Sequence, residues 1–139
     1  MSRPAVEDAV LHESHRSVFV NFTNHPSAEW GQAQRTAARR YGHIVDLAFP
    51  QVPASAGPDA VAALAQHWAA QLLALDPACV LCQGEMTLCF LVVQHLLAQG
   101  VPVVAACSER RAEQWTDDGG IVHRRAVFEF VGFRPFRLL

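Results

Sequence analysis

The fold is decided by residues 78–107, which read ACVLCQGEMTLCFLVVQHLLAQGVPVVAAC. Residues 78–83 form a short apolar run of the kind found in buried strands, and Gly84 marks a turn. Residues 85–99 predict a helix that is apolar around most of its circumference, so it must be covered on more than one side. Residues 101–107 predict the next strand. Two strands joined by one helix predict a parallel βαβ unit.

The same alternation of strands and helices continues towards the N-terminus. Strands are predicted at residues 17–22 and 43–49, and helices at residues 27–40 and 59–75. Ser27 is the expected N-cap of the first helix. The apolar face of that helix is predicted to contain Trp30, Ala33, Ala37 and Tyr41.

The C-terminal part of the chain differs from the rest. Residues 111–116 and 121–133 flank the turn sequence Asp-Asp-Gly-Gly and predict a β-hairpin. The whole order predicts an α/β fold, a Rossmann-like three-layer sandwich with a mainly parallel sheet and a C-terminal β-hairpin. We expect one domain over residues 17–139, preceded by a flexible N-terminal arm of residues 1–16.

Composition excludes several classes of protein. The chain has 139 residues, 51% of them apolar, and a net charge of −2, which excludes intrinsic disorder and disfavours binding to long nucleic acids. No apolar run is long enough for a membrane helix and no leader is visible, so we expect a cytoplasmic protein. All 11 basic residues are arginines, which excludes Schiff-base chemistry and a P-loop lysine.

The cysteines and histidines do not form a recognisable metal motif. Cys79 and Cys82 have C-x-x-C spacing, but no second pair of ligands follows them. If both lie on one strand, their side chains point to opposite faces of the sheet, so we expect free thiols. The sequence therefore predicts neither a metal nor another cofactor.

Three polar segments follow predicted strands. In open parallel sheets, ligands bind beyond the carboxyl ends of the strands, so we expect these segments to form one rim. They comprise Thr23, Asn24 and His25 after the first strand, Gln83, Gly84 and Glu85 after the third, and Ser108, Glu109 and Arg110 after the fourth.

Each segment has a structural and a functional interpretation. Thr23 and Asn24 could form only a turn, or the turn could present His25, whose imidazole readily exchanges protons at neutral pH. Glu85 could be a carboxylate favoured by a helix N-terminus, or it could bind or deprotonate a ribose hydroxyl. Arg110 could be solvated at the end of a strand, or it could bind a phosphate.

Five stretches resemble one family of proteins. They read NFTNHPSAEW (21–30), YGHIVDLAFP (41–50), CQGEMTL (82–88), AACSERR (105–111) and FEFVGFRPF (128–136). Together they resemble the small stand-alone CRISPR-associated Rossmann-fold proteins of the CARF-like, Csx type, some of which are ring nucleases. The likeness covers residues 17–137.

The resemblance implies a homodimer that binds a cyclic oligoadenylate, most often cyclic tetra-adenylate, between its two subunits. In active members a ribose 2′-hydroxyl attacks its own 3′-phosphate without a metal, which ends type III CRISPR signalling. On this chain Arg110 would bind phosphate, and Glu85 or His25 would accept the 2′-hydroxyl proton. The apolar third helix would form part of the dimer interface. Some ring nucleases use a lysine near the scissile phosphate, and this chain has none.

Three other functions stay open at this point. Some relatives only bind the cyclic ligand and act as a sponge or sensor. A nucleoside N-glycosidase related to deoxyribosyltransferases would use Glu85 as its nucleophile. A non-catalytic interaction domain would use the phenylalanine-rich hairpin as its docking edge.

Overall fold

The computed structural model describes residues 17–139, so the arm predicted for residues 1–16 lies outside the described residues. The elements are β1 (Val18–Phe22), α1 (Gln32–Arg39), β2 (His43–Asp46), α2 (Pro58–Ala74), β3 (Pro77–Cys82), α3 (Met86–Ala98), β4 (Val103–Thr116) and β5 (Val122–Pro135). A 3₁₀ turn, Ser27–Glu29, precedes α1. The described residues therefore follow the predicted order of strands and helices.

The strands form one sheet in the order β2-β1-β3-β4-β5. The first four run parallel, and β5 runs antiparallel to β4. The predicted α/β class, the mainly parallel sheet and the C-terminal hairpin are confirmed. None of the helices in residues 17–139 has the length and apolarity needed to cross a membrane.

Buried side chains lie on both faces of the sheet, because successive residues of a strand point to opposite sides. On one face, β1, β3 and β4 pack against α2 and α3 in a cluster that includes Phe22, Cys82 and Leu88. On the other face, Phe19 and Cys79 pack with Trp30 and residues of α1 and β4. The prediction of free thiols at Cys79 and Cys82, on opposite faces, is confirmed.

The helix predicted for residues 27–40 is interrupted. Trp30 and Gly31 have extended backbones, with ψ of 151° and 163°, and Gly31 rather than Ser27 is the N-cap of α1. The interruption lets the Trp30 ring enter the core, edge-on to Phe19 at 6.3 Å between centroids. It also changes the buried face of the helix, since Ala38 is buried and Ala33 is exposed.

The fourth strand does not end at residue 107, so that prediction is wrong. β4 continues to Thr116 because β5 pairs with it from Val104↔Pro135 to Thr116↔Val122. β3 pairs with β4 only at Val103 and Val104. Residues 108–116 and 122–130 therefore extend past the sheet as a two-stranded arm, called the ribbon below.

Helix α3 is covered by the sheet on one side and by helix α2 on another, and it keeps one exposed strip. Leu88, Val92 and Leu96 are buried against the sheet. Met86 is 82% exposed and Phe90 is 63% exposed. The expectation that α3 is covered on more than one side is therefore confirmed, and Met86 and Phe90 form the strip that stays exposed.

Candidate functional site

A cavity of about 680 Å³ lies at the carboxyl ends of β1 and β3, on the side of the sheet that carries α1. Cavities of this size are typical of small-molecule sites. Six of the nine predicted site residues line it. They are Thr23, Asn24, His25, Gln83, Gly84 and Ser108.

The other three predicted residues do not line this cavity. The Glu85 carboxylate binds the first turn of α3 instead. Because β4 continues through residues 108–110, its side chains alternate between two faces, and Glu109 lies on the face opposite to Ser108. Arg110 shares the face of Ser108 but lies one step farther along the ribbon. The prediction that a strand ends before Ser108, Glu109 and Arg110 is thus wrong, and only Ser108 reaches the cavity.

A hydrogen-bond network fixes the loop that follows β1. The buried Asn21 amide donates to the His25 carbonyl and to Asp46 Oδ1, both at 2.9 Å. Thr23 Oγ1 donates to Asn21 Oδ1 at 2.8 Å and accepts from the His25 backbone N–H at 3.1 Å. Asp46 also accepts from Ser27 Oγ at 3.0 Å. The loop is therefore a well-determined turn, and it also presents His25 to the cavity.

The His25 imidazole has a carboxylate neighbour. Its Nδ1 lies 3.6 Å from Glu29 Oε2, and both exposed side chains line the cavity. This pairing leaves Nε2 as the ring nitrogen available to a ligand. The prediction from sequence omitted Glu29, although its spacing of four residues from His25 is typical of a helical turn.

Gln83 is oriented by the backbone of the neighbouring strand. Its Oε1 accepts a hydrogen bond from the Ala106 N–H at 3.2 Å. The amide nitrogen of Gln83 is then left as a donor beside the cavity. Two aromatic residues of β5, Phe128 and Phe130, also line the cavity, and the sequence indicated them only as part of a phenylalanine-rich hairpin.

The Glu85 carboxylate caps helix α3. It accepts from the Thr87 hydroxyl at 2.7 Å and from the backbone N–H groups of Thr87 and Leu88 at 3.0 and 2.9 Å. These bonds, the Thr87 hydroxyl foremost, hold the pKa of Glu85 below its usual range. A carboxylate that is already bonded to three donors is a weak proton acceptor.

We expect Glu85→Ala to lower the Tm by about a few degrees at pH 7, because α3 loses its cap. The lowered pKa means that the stabilisation is present above the ordinary pKa of glutamate and is lost as the pH falls through the lower value. The difference in Tm from the unaltered protein should therefore shrink below about pH 4. Thermal unfolding from pH 3 to 7 measures it, with Glu109→Ala as the exposed control. An equal loss of Tm at pH 3 and at pH 7 would contradict the capping role.

Gly84 is required by packing against Phe49. A Cβ atom on Gly84 would lie 2.4 Å from Cδ1 of the buried Phe49 ring, which packs on Phe22 at 4.8 Å between centroids. The ring therefore occupies the space that a side chain at residue 84 would need.

We expect Gly84→Ala to destabilise the fold by about 1–3 kcal/mol through overpacking. Urea unfolding measures the loss, and Gly132→Ala is the matched control because nothing lies within 4 Å of its added Cβ. In a Phe49→Ala background the cost of Gly84→Ala should nearly vanish. A cost that stays the same in that background would show that Phe49 is not the cause.

Within residues 17–139, no group of three or more His, Cys, Asp and Glu side chains is placed to hold a metal ion.

These features define an α/β protein with a polar cavity at the carboxyl edge of a mostly parallel sheet, where such proteins bind their ligands. The chain belongs to the uncharacterized protein MJ1673 family, whose model matches residues 17–134. No curated protein matches the chain. No solved structure matches it either.

Proposed function

We propose that this protein binds a cyclic oligoadenylate, cyclic tetra-adenylate in the first instance, in a homodimer cleft in the cytoplasm, and cleaves it. Cleavage would proceed without a metal and would end type III CRISPR signalling. The observation that carries the proposal is the cavity, which gathers residues from three separate segments of the chain, Thr23 to His25, Gln83 and Ser108. The motif resemblance over residues 17–137 supplies the class of ligand.

The proposal includes a Rossmann-like, CARF-like three-layer fold. Its support is the pair of buried clusters, one on each face of the sheet. Helices α2 and α3 pack on one face, and α1 with the Trp30 ring packs on the other. This arrangement leaves the carboxyl edge of the sheet free for a ligand.

The proposed reaction is an internal transfer at phosphorus. A ribose 2′-oxygen forms a bond to the adjoining 3′-phosphorus, and the bond from phosphorus to the 5′-oxygen of the next nucleotide breaks. The products carry a 2′,3′-cyclic phosphate and a 5′-hydroxyl. His25 Nε2 takes the proton of the 2′-hydroxyl and returns a proton to the 5′-oxygen.

The remaining polar groups would hold the phosphate. The Gln83 amide and the Ser108 hydroxyl can donate to its oxygens, because Gln83 Oε1 is already bonded to Ala106. The engaged carboxylate of Glu85 fits neither the role of general base nor that of a glycosidase nucleophile. His25 is therefore the preferred base.

A second copy of the chain would complete the site. The exposed Met86 and Phe90 of α3 are the apolar surface that we assign to this contact. A two-fold axis presents each binding group twice, which suits a cyclic ligand with repeated nucleotides.

The proposal is tested by incubating the purified protein with radiolabelled cyclic tetra-adenylate in EDTA. We expect tight binding and a linear product that ends in a 2′,3′-cyclic phosphate. Binding without cleavage would leave a sponge or sensor and remove the catalytic part of the proposal. Absence of binding at micromolar protein would overturn the proposal as a whole.

A further inference from the structure

The two faces of the ribbon differ in chemistry. The cross-strand pairs of one face, called the cavity-side face, are Ser108↔Phe130, Arg110↔Phe128, Ala112↔Ala126, Gln114↔Arg124 and Thr116↔Val122. Ser108, Phe128 and Phe130 also line the cavity, so this face is continuous with it.

On the opposite face, both arginines are paired with glutamates. Arg111 lies 3.2 Å from Glu129, and Arg125 donates to Glu113 at 2.9 Å. These are exposed pairs of small energetic worth, but they leave little free positive charge on that face.

The cavity-side face carries positive charge only. Its charged residues are Arg110 and Arg124, and it has no acidic residue. Within residues 17–139, neither arginine forms an ion pair. Two guanidinium groups that form no ion pair within the described chain favour an anionic partner.

An aromatic ring lies beside these arginines. Phe128 is directly opposite Arg110 and is 71% exposed. Exposed aromatic rings flanked by arginines are the usual platform on which bases of single-stranded nucleic acids stack. A folded protein has no packing reason to leave this ring in water.

The spacing of the arginines limits the size of the ligand. Arg124 pairs with Gln114, four residues along the strand from Arg110, so the two positions lie about 14 Å apart. A single phosphate cannot contact both side chains at once unless both bend towards it. Several linked nucleotides can.

We propose that the cavity-side face of the ribbon is a second part of the ligand site, specific for oligonucleotides. Arg110 and Arg124 bind successive phosphates, and Phe128 stacks on a base. This inference rests on the proposed function and deepens it, because it places part of the oligonucleotide outside the cavity and names the residues that bind it there.

The two faces supply a matched experiment. Arg110→Ala/Arg124→Ala and Arg111→Ala/Arg125→Ala each remove two positive charges, from opposite faces of the same strands. We expect the first double variant to bind cyclic tetra-adenylate about 100-fold more weakly and the second to stay within about threefold. The slope of log Kd against log salt should fall by about 1.4 in the first variant only.

Phe128→Ala tests the stacking platform. We expect affinity to fall about tenfold while the salt slope stays unchanged, because stacking involves no counterion release. Phe128→Tyr should retain affinity. Circular dichroism and Tm confirm that each variant is folded, and light scattering reports its mass. A variant that changes the oligomeric state but not the affinity would show that the face binds protein, which overturns the inference.

The outcomes separate this inference from the function on which it rests. If the unaltered protein binds cyclic tetra-adenylate and both double variants weaken equally, the ribbon is not a site although the proposed function stands. If it binds linear tetra-adenylate but not the cyclic form, the proposed function fails. The same variants, measured with the linear probe, then show whether the ribbon binds oligonucleotides. If it binds neither, both proposals are overturned.

Discussion

His25→Ala is expected to lower the single-turnover rate of cyclic tetra-adenylate cleavage by about 100-fold or more, with Kd changed by less than about threefold. Loss of a proton acceptor affects the transition state more than the bound ligand, whereas loss of a phosphate contact affects both. The exposed position of the imidazole means that its removal should leave the fold intact.

The measurement is the first-order rate at saturating protein, together with Kd from filter binding. His43→Ala is the matched control, since His43 is also exposed but lies at the opposite end of the sheet, at the start of β2. Added imidazole should partly restore cleavage in His25→Ala. An unchanged rate would exclude His25 as the base, and a loss of affinity as large as the loss of rate would make it a binding residue instead.

Glu29 should act through His25. It lies 3.6 Å from Nδ1, on the side of the ring away from the nitrogen that we assign to the ligand. Glu29→Gln should therefore lower the rate less than His25→Ala does, and it should have little effect in a His25→Ala background.

The order of strands and helices could be predicted because each element has its own local pattern. The buried runs at β1 and β3 are apolar and end at polar residues, and both lead to the cavity. The rule that ligands bind beyond such strand ends therefore selected residues that line the cavity, Thr23 to His25 and Gln83.

The errors occur where distant contacts decide the structure. Residues 108–116 are polar and charged, so nothing local continues the strand, but pairing with β5 supplies the backbone hydrogen bonds and the cross-strand neighbours. Trp30 likewise leaves the helix because the core beside Phe19 accommodates its ring. Phe128 lies at the cavity because β5 folds back along β4, and no local sequence pattern contains that contact.

The role of Glu85 could not be predicted from its residue type and position alone. A glutamate at a helix start is equally expected of a cap and of an acid or base, and the residue type does not distinguish them. The three hydrogen bonds that Glu85 accepts from Thr87 and Leu88 identify it as a cap.

The second large effect is expected at Asn21, which is 1% exposed on a strand that is otherwise apolar. Asn21→Leu keeps the approximate volume but removes both amide donors and the carbonyl acceptor. The Thr23 hydroxyl, the His25 carbonyl and the Asp46 carboxylate each lose a partner. Because unsatisfied polar groups cost about 1–3 kcal/mol each, we expect a loss of about 2–4 kcal/mol of stability together with loss of ligand binding.

Urea unfolding gives the free energy and the m-value, and Asn24→Leu is the control because Asn24 is exposed in the same loop. A loss below about 0.5 kcal/mol would show that the network does not hold the loop. Asn21→Asp keeps the shape of the side chain but removes its N–H donors, so it tests the donors alone. In this variant a second carboxylate takes the place of the amide that lies 2.9 Å from Asp46 Oδ1. Because the two negative charges repel each other, we expect Asn21→Asp to be less stable than Asn21→Leu at pH 7. Since two neighbouring carboxylates share a proton, its stability should rise as the pH falls towards 4, whereas that of Asn21→Leu should not.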